Sequence, residues 1–406
     1  MFSKRIKGHH LGHPKKSEFA TMDDLRGFLN TASPKQKEGV IYFHVPYCDR
    51  ICSFCSMNRS KLDGELDDYA KYLLDEIDKF SNFNYIKQKS FESIYFGGGT
   101  PTILKERHLE QILTAIKSKF NLSPTCEFSF ETTLHNLNIS KLRLMQDLGV
   151  NRYSIGIQTF SDEGRKLLNR THTKASAIEH LHKIKDEFKG ILCTDIIYNY
   201  PHESEDDVRT DAKILKDFKV DSASFYSLQF LDGSEFATKI SQDYYNIETD
   251  KMLHNAFIDE MFKDDEYEFL EYTKINRKGR DEYKYIRLTH AGSDVVPIGV
   301  NAGGKIGDFG LFNMKADLQM VGILPQSEQN RRIFTSLFQY KEIKFTDMRL
   351  YISDETFSEL MMFFMKCQSA GYLSMGSDGL KFSIDGVFWG NTIADEVAKI
   401  AQKDFE

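Results

Sequence analysis

Three cysteines, Cys48, Cys52 and Cys55, follow directly on the apolar run Val40 to Val45, separated from one another by three and two residues. So short a loop can wrap a single centre, with consecutive sulfurs pointing inward around it. Iron-sulfur clusters that only carry electrons are usually held by four cysteines. Here the next polar residues are Ser56, Asn58 and Arg59, and no fourth thiol follows closely. A cluster held by three thiolates leaves one iron open to a small molecule, which implies chemistry rather than wiring alone. A zinc site completed by His44 and a set of three buried thiols are the alternatives the spacing leaves open.

A second run, Tyr95-Phe96-Gly97-Gly98-Gly99-Thr100-Pro101-Thr102, places three glycines at the end of an apolar segment. Without Cβ atoms the backbone can approach a ligand closely and offer its N–H and C=O groups to a zwitterion. The competing reading is a tight turn. Glu131 could pair with an ammonium group and Arg170 with a carboxylate in two-pronged geometry, or each could form a surface ion pair.

The elements that must position these residues repeat one unit. Runs at Val40 to Val45, Phe91 to Phe96, Cys126 to Glu131, Arg152 to Ile157, Ile191 to Tyr198 and Ser222 to Leu228 read as strands. Helical patterns lie between them. Leu66, Tyr69, Leu73, Ile77 and Phe80 recur at helical spacing, and Ser204 with Asp207 forms a capping signal before Val208, Ala212 and Leu215. Such alternation implies parallel strands and right-handed crossovers. Six units are too few for an eight-fold barrel, so a partial (β/α)6 barrel is expected, working at its strand C-termini. Cys48, the three glycines, Glu131, Gln158 and Asp195 all fall at those ends.

Composition agrees with a folded α/β protein. The chain has 406 residues, 41% of them hydrophobic, enough for a large core and an appended domain. A formal charge of −7, with no basic cluster interleaved with aromatics, gives no reason to expect a nucleic-acid surface. No apolar run approaches a membrane span and the opening residues lack a signal-peptide pattern, so a cytoplasmic location is expected. Cys126, Cys193 and Cys367 read as core residues.

Beyond Phe230 the pattern changes. Thr249 to Phe262 is helical, Tyr267 to Val300 alternates like strands, and Asp354 to Gly371 is a helix rich in Met and Phe. Its stripe Met361, Met362, Phe363, Phe364 and Met365 reads as core. Tyr372 to Met375 and Leu380 to Ile384 suggest a hairpin. The expected domains are a leader at 1–39, the partial barrel at 40–230, an extension with strands and a Gly-rich loop at 231–310, and a smaller α+β, helical and winged domain at 311–406.

Tyr42 to Cys48, the cysteine triplet, the segment Gly97 to Thr102, Ser154-Ile155-Gly156-Ile157-Gln158, Asn169-Arg170 and Asp195 to Tyr198 resemble the radical S-adenosylmethionine (SAM) enzymes of the oxygen-independent coproporphyrinogen III oxidase superfamily. The segment Ile298 to Asp308 is similar to the heme-utilization branch, whose members open the heme ring anaerobically as anaerobilin synthases. The resemblance implies that Cys48, Cys52 and Cys55 hold a 4Fe-4S cluster whose free iron chelates SAM. It implies that Tyr42, Gly98, Gly99, Thr100, Glu131, Gln158, Arg170 and Asp195 surround that SAM, which is cleaved to methionine and a 5′-deoxyadenosyl radical. It further implies a second SAM as methyl donor near the loop containing Gly299, Asn301 and Gly303. That loop could equally be a plain strand connection.

Heme is then the implied substrate, with a flavodoxin or ferredoxin as electron donor. His9, His10, His13 and His290 are candidate heme-iron ligands, with His13 and His290 carried forward. Two residues depart from the family pattern: Asn199 stands where glycine is common, and Met57 where coproporphyrinogen oxidases typically add a cysteine. Three functions fit the sequence: a heme-degrading radical SAM methyltransferase, a coproporphyrinogen III oxidase, and a heme-binding carrier or chaperone of the same fold.

Overall fold

Alternation within the six strand runs dictates a sheet with one apolar and one polar face. In the computed structural model, which describes residues 1–7, 17–56, 60–61, 65–316 and 318–406, the runs form parallel strands. These are β1 (Glu38–Val45), β2 (Ser90–Gly98), β3 (Leu122–Thr133), β4 (Arg152–Gln158), β5 (Ile191–Tyr198) and β6 (Ser222–Ser227). Phe43, Phe96 and Phe130 stack across β1, β2 and β3 on the apolar face, with ring centroids 4.3 and 4.1 Å apart. Helix α1 (Leu66–Ser81) covers that face with Leu66, Tyr69, Leu73, Ile77 and Phe80, all buried. The helix after β5, α2 (Glu205–Asp217), begins with a capping box between Ser204 and Asp207 and buries Val208, Ala212 and Leu215.

Flanking strands extend the sheet on both sides. Next to β6 lie β8 (Lys274–Arg277) and then β7 (Tyr267–Glu271), both antiparallel. Next to β1 come β9 (Asp294–Ile298), which is parallel to it, and the antiparallel β10 (Gly303–Ile306), β11 (Phe309–Lys315) and β12 (Leu318–Ile323). The two-residue strand Glu18–Phe19 ends this thirteen-stranded sheet on one side and β7 on the other, so among the described residues it does not close. The expected boundary at 310/311 lies within β11, a strand of the main sheet.

The segment from Tyr267 to Val300 is not strand throughout. It contains a helix, α3 (Lys284–His290), laid on the polar face of the sheet. Tyr285 stacks there on Tyr95 at 4.4 Å and Tyr42 at 5.9 Å. The alternating tyrosines suggest a strand in sequence, but they serve this aromatic stack.

The smaller domain contains the helix Asp354–Ser369 and a three-stranded sheet of Glu342–Lys344, Leu373–Met375 and Gly379–Phe382. The last two form the expected hairpin. Leu360, Phe364 and Cys367 are buried, whereas Met362 and Met365 stand about half exposed, so the stripe is core on one side only. Cys193 is buried as expected, but Cys126 is partly exposed. No helix among the described residues is long and apolar enough to cross a membrane.

Residues 1–7 of the expected leader are built into the fold. Phe2 stacks on Tyr372 and touches Trp389. The Arg5 guanidinium pairs with Asp250 at 3.0 Å and donates to the Tyr198 hydroxyl at 3.0 Å and the Phe388 carbonyl at 2.8 Å. Arg5 therefore ties the barrel to the small domain. Arg5→Ala would leave buried Asp250 without its cation, and stability should fall by about 3–5 kcal/mol, read as a lower urea midpoint with unchanged slope.

Candidate functional site

The chain turns sharply after β1, and the cysteine loop folds back over the strand ends. Gly99 N–H donates to the Val45 carbonyl at 2.8 Å and Thr100 N–H to the Tyr47 carbonyl at 2.9 Å. A Cβ on Gly99 would sit 2.6 Å from the Tyr47 oxygen. A Cβ on Gly98, whose φ is +117°, would lie 2.7 Å from the His44 ring, and one on Gly97 would lie 3.1 Å from the Glu131 carboxylate. The glycines thus first accommodate the protein's own loop, histidine and carboxylate. Only Gly99 of the three also lines the cavity.

That cavity has a volume of about 180 Å³. Cys48, Cys52, Cys55, Gly99, Thr100, Glu131, Gln158, Arg170 and Asp195 line it, so of the residues expected around a cluster and SAM, only Tyr42 and Gly98 lie behind its wall. The Thr100 hydroxyl lies 3.5 Å from the Cys48 sulfur, and Arg170 donates to the Cys52 sulfur at 3.0 Å. Arg170 also bonds the Gly156 carbonyl. It is therefore engaged with a cysteine and a strand end, and its remaining N–H donors face other work. Burial pushes the Cys48 thiol upward, the Thr100 hydrogen bond opposes this, and Cys55 and Cys52 add to it.

His44 does not complete a zinc site. Its Nδ1 is 2.9 Å from the Tyr42 hydroxyl and its ring lies beneath Gly98. Among the described residues no group of three His, Cys, Asp or Glu side chains is placed to hold a single metal ion. Three thiols around one cavity, with donors to two of the sulfurs, instead fit a larger cluster.

Glu131 is the most perturbed carboxylate lining the cavity. Burial pushes it up to about 7, against hydrogen bonds from the Tyr95 hydroxyl at 2.8 Å and the Gly98 N–H at 3.1 Å, with Asp195 adding to the rise. The Ser154 hydroxyl donates to Asp195 at 3.2 Å. Gln158 holds a φ of 74° at a register shift in β4, where the strand ends.

Sequence reasoning assigned no role to several supports, although it singled out the pair Asn169-Arg170. Asn169 donates to the Ile51 carbonyl at 2.8 Å and accepts from Arg50 at 2.7 Å, locking the cysteine loop to the segment carrying Arg170. Asp49 takes His135 at 3.2 Å and Asn136 at 3.2 Å. Arg165 holds the carbonyls of Ile157 and Thr159. These come from separate loops with no fixed spacing; only the adjacency of Asn169 to Arg170 offered a signal.

Gly299, Asn301 and Gly303 do not line the cavity. Gly299, with φ +106°, would clash with the His44 carbonyl if it carried a Cβ, and Tyr69 bridges the same carbonyl to the Val300 N–H. Asn301 donates to the Asn313 carbonyl and Gly303 pairs with Phe312 in the sheet. The loop is a strand connection packed on β1. His290 also lies away from the cavity, bonded to the Tyr340 hydroxyl at 3.0 Å. His9, His10 and His13 lie outside the described residues.

The family model of the radical SAM superfamily matches residues 42–215. Anaerobilin synthase of Escherichia coli O157:H7 is 25% identical over 70% of this chain and 64% of its own length. The heme chaperone HemW of Lactococcus lactis is 30% identical over 50% of this chain and 52% of its own length. The chain thus spans less than two thirds of either relative. The solved structure of coproporphyrinogen III oxidase (HemN) from Escherichia coli superposes with a TM-score of 0.77 at 18% identity, covering 93% of each chain, and so shares the fold. Residues 42–215 therefore match the radical SAM superfamily, on a fold shared with HemN. The radical SAM superfamily implies a 4Fe-4S cluster and SAM, and the three thiols of the cavity with the carboxylates and arginine beside them are of the donor types such groups need.

Cys52→Ala is expected to abolish iron incorporation on anaerobic reconstitution while leaving the circular dichroism unchanged; full iron content would exclude Cys52 as a ligand. Because Glu131 titrates at about 7, a cationic ligand should bind more tightly as pH rises through that value and the carboxylate ionises. SAM affinity should lose this dependence in Glu131→Gln.

Proposed function

We propose that the chain is an anaerobic heme-degrading radical SAM methyltransferase, which opens the porphyrin ring to a linear tetrapyrrole and releases iron. The observation that carries this reading is the alignment with anaerobilin synthase, which runs over 70% of the chain and so extends beyond the superfamily module. The relatives reported above are all named for tetrapyrroles.

In this reading Cys48, Cys52 and Cys55 hold the cluster. Gly98, Gly99, Thr100, Glu131, Gln158, Arg170 and Asp195 surround SAM, with Tyr42 behind them. When bound, cluster and SAM supply one-electron reductive cleavage and hydrogen-atom abstraction, with SAM also providing the methyl group. The protein's own part is electrostatic and steric. Glu131 gives up its proton as it takes the ammonium group, and Arg170 spends its free N–H donors on a carboxylate while it keeps the Cys52 sulfur hydrogen-bonded. Asp195, oriented by Ser154, accepts from ligand hydroxyls, and the cysteine loop closes the site to water. The loop at 299–304 is not assigned to a second SAM, because its backbone is occupied by His44, Tyr69 and Asn313. A flavodoxin or ferredoxin type donor supplies the electrons, and a cytoplasmic location suits the six free cysteines.

A second reading, a heme chaperone, is favoured by the 30% identity to the Lactococcus protein. Incubation of the reconstituted protein with reductant, SAM and heme separates the two. The methyltransferase should bleach the Soret band and form S-adenosylhomocysteine. Tight binding with an unchanged heme spectrum would support the chaperone instead, and decarboxylation of coproporphyrinogen would support an oxidase.

A further inference from the structure

The sheet register carries the polar, concave face well beyond the cavity. Val40 and Tyr42 lie on that face with Tyr95, whose hydroxyl bonds Glu131 in the cavity wall. Val295 pairs with Val40, Lys305 with Val295, and Gly310 with Lys305. Two residues further along β11, Phe312 pairs with Gly303 on one side and Met320 on the other. Leu318, opposite Lys315, shares the face, and Met314 sits at the register shift between them. The other face of β11, with Phe309, Leu311 and Asn313, is buried.

On the concave face this hairpin is apolar and open. Phe312 is 36% exposed, Met314 43%, Leu318 47% and Met320 57%. A monomeric protein rarely leaves such neighbours uncovered without a use. The surface is also low in relief, because the Phe312 ring lies over the bare backbone of Gly303. Lys315, at the end of β11, makes no ion pair among the described residues. Three strand spacings, about 14 Å, separate Phe312 from Tyr42, whose ring Tyr285 of α3 covers, so the hairpin lies on the cavity's sheet face but outside its wall.

We propose that this hairpin face, formed by Phe312, Met314, Leu318 and Met320 with Lys315 at its end, is the docking plate for an anionic planar tetrapyrrole. The proposal rests on the reading of the site as acting on such a macrocycle. Three properties select this occupant: the flat apolar surface suits the ring, the lysine suits a peripheral carboxylate, and the plate shares its sheet face with Glu131 and Asp195.

The test is a hemin titration of the full-length protein, reconstituted anaerobically and followed at the Soret band. The double variant Phe312→Ser/Met320→Ser should bind hemin about tenfold or more weakly, the effect of losing roughly one side chain's apolar contact. Lys315→Glu should weaken it further. Iron content and SAM affinity should stay at wild-type values, and Leu350→Ser, at a 74% exposed site in the small domain, should leave hemin affinity unchanged. Equal hemin affinity in wild type and the double variant would overturn the plate while leaving the tetrapyrrole reading intact. So would an equal loss in Leu350→Ser, which marks adsorption, or a dimer that the double variant dissolves without changing hemin affinity. Absence of hemin binding by the wild type would overturn both.

Discussion

The thiol-lined cavity depends on one steric constraint: two stretches of backbone meet at the ends of β1 and β2 at a separation that no Cβ could tolerate. The Tyr47 carbonyl occupies the place where a side chain on Gly99 would stand, and the His44 ring occupies that place at Gly98. The contact pins the start of the cysteine loop to the rim through the Gly99 and Thr100 N–H bonds. From there Thr100 reaches the Cys48 sulfur, while Asn169 and Arg170 fasten the loop from the opposite side of the mouth. A side chain at Gly99 would lift the loop and displace the thiols together, because beyond the two-residue strand Tyr47–Cys48 the cysteine loop has no regular secondary structure to hold it.

The concave face carries a concentration of buried charge that a purely structural sheet would avoid. Arg152 is fully buried and pairs in two-pronged fashion with Asp281, Lys274 donates to the Cys193 sulfur at 3.1 Å, and Glu271 is pushed up to about 7 by burial. Replacing such pairs by apolar residues of the same shape is often neutral or stabilising. Their presence beneath the cavity gives a floor of fixed dipoles and charges, which do not have to reorganise when a ligand enters. Helix α3 seals this floor with Tyr283 and Tyr285, so the polar layer is held out of water except at the rim.

The parallel strands were legible because each carried a strong apolar stripe and each helix its own cap or repeat. β5 keeps its expected ends, and the other five differ by one to four residues at one end or both, β2 running on into Gly97-Gly98 and β3 starting before Pro124. What stayed hidden was whatever depends on distant partners. Helix α3 reads as a strand because Tyr283 and Tyr285 alternate, and only the stack on Tyr95 and Tyr42 reveals their purpose. The half-exposed Met362 and Met365 look like core in sequence, since apolar type alone cannot say which side of a helix meets a neighbour. In the site the cysteines, Glu131, Gln158 and Asp195 could be placed because strand ends converge on one rim. Asn169, Asp49 and Arg165 could not, because loops supply them from positions with no mutual spacing.

The glycines at 97–99 and 299–304 show why one sequence signal supported two different outcomes. A glycine run states that something comes close to the backbone but not what comes close. At 97–99 the close neighbours are His44, Glu131 and the cysteine loop, and the space left over opens into a cavity lined by thiols. At 299–304 the close neighbours are the His44 carbonyl at Gly299 and Val295 and Pro297 at Gly304, while Gly303 is exposed beneath the Phe312 ring. Both runs press on the same short stretch of β1, from opposite sides. His44 is held between them, its ring under Gly98 and its carbonyl against Gly299 and the Tyr69 hydroxyl. The second run therefore serves the site indirectly: by fixing the last residues of β1 it fixes where the cysteine loop begins, and a substitution at Gly299 would reach the three thiols through the backbone without touching them.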